Sequence, residues 1–283
     1  MIPSYLAFVG FLLIDPQLFS QTAPNAQHAT YSPGVLDPAV TMLTGTGSFN
    51  CPGAPNFEYS VTEDADFTSG DTNVPSTGQV VDNNPGIEVV YGQADPQQNI
   101  EVEVAGFFGA AGSPISMTVF TTIDFASPTT PNEIAFLIAA VEQDQVLVCA
   151  LDAMGFPVPV STIATWFQQS FDADNSDPAT VAPTWDPVTG TLVGQQGGGV
   201  TQTVYQPDLP DNEAGAAWFE VNIAITQLVF KSQALGIAPD DPSQHFFLAS
   251  TCSIYDQAII KEVVTPGPYV PVSYTHLTLP TKA

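Results

Sequence analysis

Three stretches of this chain alternate apolar and polar side chains with a period of two, and none of convincing length follows the period of an α-helix. Ile100, Val102 and Val104 alternate with Asn99, Glu101 and Glu103. Ile115, Met117 and Val119 alternate with Ser116 and Thr118. Phe219, Val221, Ile223 and Ile225 alternate with Glu220, Asn222 and Thr226. Successive side chains of a strand point to opposite faces, so each stretch reads as a strand with one buried face. In the third the pattern slips to Leu228 and Phe230, which predicts a bulge or bend near Gln227. The 26 Pro and 21 Gly imply many turns and few long helices.

Further strands are expected at Glu58–Thr62, Ile87–Tyr91, Val200–Gln206 and Gln244–Thr251. Two central runs, EIAFLIAAV and QVLVCAL, are continuously apolar and are separated by Glu142, Gln143 and Asp144. They read as a hairpin in the middle of a sheet, covered on both faces. A turn follows at Asp152–Gly155. STIATWFQQSF is either a short helix capped by Ser161 or a strand, and its β-branched content favours the strand. About ten strands with polar outer faces suit two packed antiparallel sheets. The expected fold is an all-β, two-sheet antiparallel β-sandwich, jelly-roll-like, over residues 57–255, with residues 22–56 as an N-terminal arm or first strand and 256–271 as an outgoing linker.

Charge excludes several functions. The chain has 3 Lys, no Arg and 29 Asp plus Glu, for a formal net charge of −26. Nucleic acid is repelled, because phosphate binding needs clustered Lys and Arg. An anionic membrane surface is excluded on the same ground. Hydrophobic residues make up 44% of the chain, enough for a core despite the charge.

The two ends read differently from the middle. YLAFVGFLLI (residues 5–14) is too short to span a bilayer and matches the apolar region of a signal peptide, without the usual basic start. Residues 1–21 are read as a signal peptide whose start is either truncated or an internal Met codon. PQLFSQ resembles the close of signal peptides in secreted proteins of Bacteroidota, with cleavage expected after Ser20. The competing reading of the apolar run is an ordinary buried strand. At the other end VSYTHLTLPTKA, residues 272–283, resembles a translated sequencing adapter, so natural sequence is expected to stop near Pro271. Export makes the cysteines relevant. Cys149 lies in VLVCAL and reads as a buried small hydrophobe. Cys51 and Cys252 bracket the β region, and a bridge between them would staple the first and last strands by about 4 kcal/mol or more. An odd count also admits a lost partner or a free thiol.

A resemblance emerges at the central runs. PISMTVFTTIDF, then NEIAFLIAAVEQDQVLVCALDAMGFPVPV, and later FEVNIAITQLVFKS and SQHFFLAS, resemble a recurrent domain of large secreted and cell-surface proteins of Bacteroidota. The pattern is carried by Gln143, Asp144, Gln145 and Val146, and by Asp152, Ala153, Gly155, Pro157 and Val158. The chain departs from it at Ala139, Ala140 and Val141, where acidic residues usually stand, which puts a cation role for that turn in doubt. The resemblance implies a jelly-roll-like, usually non-catalytic surface module of a multi-domain exported protein.

Residues that could carry chemistry are few. His28 and His245 are isolated, and there is no HExxH, no Gly-x-Ser-x-Gly and no Walker loop. Glu101 and Glu103 share a strand face, as a glycosidase pair would, but no third acid follows at the needed spacing. Calcium is the stronger expectation. Asp172, Asp174 and Asp177 alternate in one loop, and Asp64, Asp66 and Asp71 form a second cluster; hard cations take six to eight oxygens from such loops. The competing reading is a solvated acidic turn. Trp166, Trp185 and Trp218, with the Phe107–Phe108 pair, are candidates for a sugar-stacking platform, Trp185 standing out because it lies in the polar loop PTWDP, although each alone reads as core. The functional expectation is a non-enzymatic extracellular module of a larger surface protein, used for adhesion or for carbohydrate or matrix binding, and stabilised by Ca²⁺. The alternatives are a β-sandwich glycoside hydrolase using a carboxylate pair, and a purely structural stalk.

Overall fold

The computed structural model describes residues 26–37, 42–51, 53–63, 72–76, 98–103, 105–106, 115–116, 118–141, 144–172, 181–195, 215–234 and 243–252, all within one compact unit, Met1–Ser253. The expected strands at 87–91 and 200–206, the Phe107–Phe108 pair, the signal-peptide segment, the linker and the tail lie outside them. The strands are β1 (Gln27–Tyr31), β2 (Val35–Asp37), β3 (Met42–Phe49), β4 (Phe57–Glu63), β5 (Thr72–Ser76), β6 (Asn99–Glu103), β7 (Ala105–Gly106), β8 (Ile115–Ser116), β9 (Thr118–Phe125), β10 (Ile134–Ala139) and β11 (Asp144–Asp152). A one-turn helix α1 (Val160–Ile163) follows, then β12 (Phe167–Asp172), β13 (Val181–Asp186), β14 (Thr191–Gln195), β15 (Gly215–Glu220), β16 (Ile225–Ala234) and β17 (Ser243–Ser250).

The fold is all-β and antiparallel. One sheet runs β12-β15-β10-β17, and the far edge of β17 is shared by β6 and the start of β1. The other runs β3-β4-β9-β16-β11-β14-β13. Strand β1 belongs to both: Gln27 and His28 pair with β17, while Ala29–Tyr31 pair with β3. A strand that changes sheet makes a corner of the sandwich. The segment read as an arm or first strand thus supplies three strands, and the first of them lies beside the last strand of the domain.

The core fills the gap between the sheets. Phe136 of β10 and Phe246 of β17 meet Phe230 of the opposite sheet at ring-centroid distances of 5.3 and 4.4 Å. Tyr31, Phe49, Phe57, Tyr59 and Phe125 form a second aromatic group near the β1 corner. Gly45 and Gly47 lie directly opposite Tyr59 and Phe57 on β4, and the two rings occupy the space a Cβ would need. The outer face of the β10 sheet carries its own apolar cluster, with Leu137, Trp218, Phe171 and Phe247 all buried. All six residues of β10 are buried for this reason, as its unbroken apolar sequence predicts.

The central hairpin is corrected. β10 pairs with β15 and β17, whereas β11 pairs with β14 and β16, so the two apolar runs lie in opposite sheets. Both edges of each strand are already occupied. The chain leaves β10 through Ala140, whose φ of 61° is left-handed, and Val141 then donates to the Gly215 carbonyl at 2.9 Å. β11 also departs from the expectation of two covered faces. Its alternate residues Asp144, Val146, Val148 and Ala150 are buried, while Cys149 between them is exposed. The alternating run from Phe219 to Ile225 is likewise two strands. β15 ends at Glu220 and β16 begins at Ile225 in the other sheet, with residues 221–224 crossing between them. The expected bulge does occur: Leu151 faces Gln227 and Asp152 faces Ile225, which leaves Thr226 as the extra residue. STIATWFQQSF divides into α1 and β12, and the N-cap position is Pro159, not Ser161, with no side-chain capping bond.

Candidate functional site

Two aspartate-built turns stand along one edge of β11. In the first, Asp152 Oδ1 accepts from the backbone N–H of Met154 at 2.8 Å and of Phe156 at 2.9 Å. Gly155 takes φ 80°, a left-handed conformation that suits glycine. An aspartate side chain that binds its own following backbone is the physical reason this residue type starts such turns. The second turn joins β13 to β14. Asp186 Oδ1 accepts from Val188 N–H at 2.9 Å, Asp186 Oδ2 accepts from the Thr189 hydroxyl at 2.7 Å, and Gly190 has φ 76°. These bonds hold the Asp186 carboxyl below the usual carboxylate range.

The turns share a base. Asp152 N–H donates to Phe156 O, Val158 N–H to Ala150 O, and Val148 N–H to Gly190 O, at 2.8 to 2.9 Å. The first turn, the lead-in to α1 and the second turn therefore succeed one another beside residues 152 to 148, a span of roughly 13 Å. Val160 sits at the junction, where its Cγ1 would lie 3.3 Å from a Cβ on Gly190. Both tips are apolar: Met154 is 79% exposed, Phe156 60% and Val188 83%, with Val160 also exposed. Two tightly bonded turns thus hold large apolar side chains outward, which gives this edge an exposed apolar face. The signal for this was present in the sequence, as Asp-x-x-Gly and Asp-x-x-x-Gly turns with Met, Phe or Val at positions that solvation alone would fill with polar residues.

The predicted platform is corrected. Trp166 is fully buried, and its Nε1 donates to Asn222 Oδ1 at 2.9 Å. Trp185 lies within β13 and not in a loop. Its ring stacks on Phe167 at 5.8 Å and meets Phe219 edge-on at 5.1 Å. Both indoles extend the core, because the neighbouring strand surfaces are aromatic and exclude water. Of the acidic residues expected to bind calcium, Asp172 ends β12, and Asp174, Asp177, Asp64, Asp66 and Asp71 lie outside the described residues. Among the described residues no group of three His, Cys, Asp or Glu side chains is placed to hold a metal.

Cys51 and Cys252 form a disulfide across 201 positions, with Cα atoms 5.5 Å apart. It closes the domain where β1 meets β17. Cys149 is a free, exposed cysteine and not the buried one its apolar run suggests; its strand turns only alternate residues inward. Partial burial raises its pKa, against the attraction of Lys231. Glu101 faces His245 on one side and Asn73 on the other. His245 is buried, its Nδ1 lies 2.9 Å from Asn99 Oδ1, and burial pushes its pKa down to about 4 in spite of the Glu101 charge. The Glu103 side chain lies outside the description.

No family model matches the chain, and no curated protein matches it. Among solved structures it is similar to the K1 cleaved adhesin domain of Lys-gingipain from Porphyromonas gingivalis, with a TM-score of 0.21 and 10% identity, covering 78% of this chain and 96% of that one. The site is accordingly read from its own geometry.

Proposed function

We propose that the chain is a non-enzymatic extracellular binding module of a larger surface protein, used for adhesion or for carbohydrate or matrix binding. The observation that carries this reading is the strip of Met154, Phe156, Val160 and Val188 on two aspartate-bonded turns. An exposed aromatic ring and an exposed thioether on one turn suit the apolar face of a sugar or an apolar anchor of a partner protein. Two further features support the setting. A disulfide persists in an oxidising compartment, which favours an extracellular site. The first and last strands are neighbours, so the chain enters and leaves the domain at one place, as suits a unit carried within a longer chain.

Calcium stabilisation by the acidic loops belongs to the same reading, since a bound divalent ion would relieve self-repulsion in a chain of net charge −26. The test is binding of the intact chain to immobilised glycans and matrix proteins, with Met154→Ser and Phe156→Ser as variants. Loss of binding by tenfold or more, at unchanged unfolding midpoint, is the expected result. Full binding by both variants would remove the strip as the site. Unfolding midpoints in Ca²⁺ and in chelator, repeated with Asp174→Asn and Asp64→Asn, test the calcium part separately.

A further inference from the structure

A polar layer closes one end of the otherwise apolar core. Asp144 begins β11, Ser232 lies on β16 and Gln244 on β17, and none of the three has exposed surface. Asp144 faces Ala234 and Val146 faces Ser232, so Asp144 and Ser232 are diagonal neighbours on the inward face, about 7 Å apart. From the opposite sheet Gln244 reaches across the gap, and its Nε2 donates to Asp144 Oδ2. Gln244 Oε1 and Ser232 Oγ make no hydrogen bond. One row deeper Thr121, opposite Phe230 and so diagonal to Ser232, is fully buried and its Oγ1 also makes none.

An amide oxygen carries lone pairs alone, and leaving it bare in a core forfeits the hydrogen bonds it would make in water. The carboxamide that donates to Asp144 holds Oε1 on the same carbon. Oε1 and the carboxylate are therefore close enough for one ion to touch both, since two metal–oxygen bonds span roughly 5 Å. Such an oxygen-only set suits a hard cation. Its single carboxylate decides the charge. A monovalent ion leaves the layer neutral, whereas a divalent ion leaves net positive charge where no water reaches. We infer that Asp144, Gln244 and Ser232 hold a hard monovalent cation of the sodium class between the sheets, with Thr121 behind it. The site uses none of the acidic-loop residues and does not depend on the binding role.

The experiment is thermal unfolding of the full chain in sodium chloride and in tetramethylammonium chloride at equal ionic strength, with chelator throughout to keep divalent ions off the loops. An ion that binds only the folded state raises the midpoint with its concentration. A midpoint several degrees higher in sodium is expected. Ser232→Ala should at least halve the difference and Asp144→Asn abolish it. Ser232→Ala removes only an unpaired hydroxyl, so it decides the matter if Asp144→Asn does not fold. Equal midpoints in the two salts would mean that the layer holds water instead, and the inference would fail. A full sodium effect retained in Ser232→Ala would place the ion elsewhere and also overturn it.

Discussion

Trp166 Nε1 donates to Asn222 Oδ1 at 2.9 Å, and Asn222 Nδ2 donates in turn to Thr165 Oγ1 at 2.8 Å. Asn222 lies on the short crossover between β15 and β16, so its side chain ties that crossover to the turn after α1. Replacing it by Ala would leave a fully buried indole N–H without an acceptor. Asn222→Ala is expected to destabilise the domain by about 1–3 kcal/mol, and Asn222→Asp, which keeps the acceptor, by less. Chemical denaturation of the two variants separates these outcomes; equal losses would show that the indole bond contributes little.

The Cys51–Cys252 bond closes a loop of 201 positions. On the chain-entropy account a loop of that size is worth about 5 kcal/mol. The double variant Cys51→Ala/Cys252→Ala should unfold at markedly lower denaturant, and reduction of the native chain should have a similar effect. Unchanged stability on reduction would argue that the β1–β17 pairing already holds the corner.

His245 gives a pH dependence with a definite sign. Its folded pKa, about 4, lies below the ordinary value of 6.5. Above pH 6.5 the ring is neutral in both states and contributes no dependence. As pH falls from 6.5 to 4 the unfolded chain takes up a proton that the folded chain refuses, and stability is lost, by up to about 3 kcal/mol. Unfolding midpoints of the native chain and His245→Gln, compared between pH 7 and 4.5, should converge as pH falls. Parallel curves would show that the ring does not titrate in this way.

Gly45 and Gly47 are required by the rings that cover them. Alanine at Gly47 would drive a methyl group into Phe57, a core ring opposite it. Overpacking of this kind costs about 1–3 kcal/mol. The loss should shrink in the double variant Gly47→Ala/Phe57→Leu. Additive losses would place the strain elsewhere.

Alternation named the inward side chains Ile100 and Val102 of β6 and Leu228 and Phe230 of β16, because a strand offers only two faces, although Asn99 on the other face of β6 is buried too. The stretch from Ile115 to Val119, read as one strand, divides between β8 and β9, and Thr118 is buried beside Val119. The slip at Gln227 was legible for the same reason: one extra residue reverses the phase of the pattern. The Asp152 turn was legible from its aspartate and glycine. Strand partners were not. EIAFLIAAV and QVLVCAL satisfy a hairpin and an inter-sheet crossover equally well, since either buries them. Only the competing claims of β15, β17, β14 and β16 on their edges decided it. Phe219–Ile225 kept its period across a change of sheet, because crossing the core does not alter which residues are apolar. The apolar strip and the Asp144 layer depend on pairings between residues far apart in the chain. Local pattern names the side chains in such sites, and tertiary pairing alone sets them beside one another.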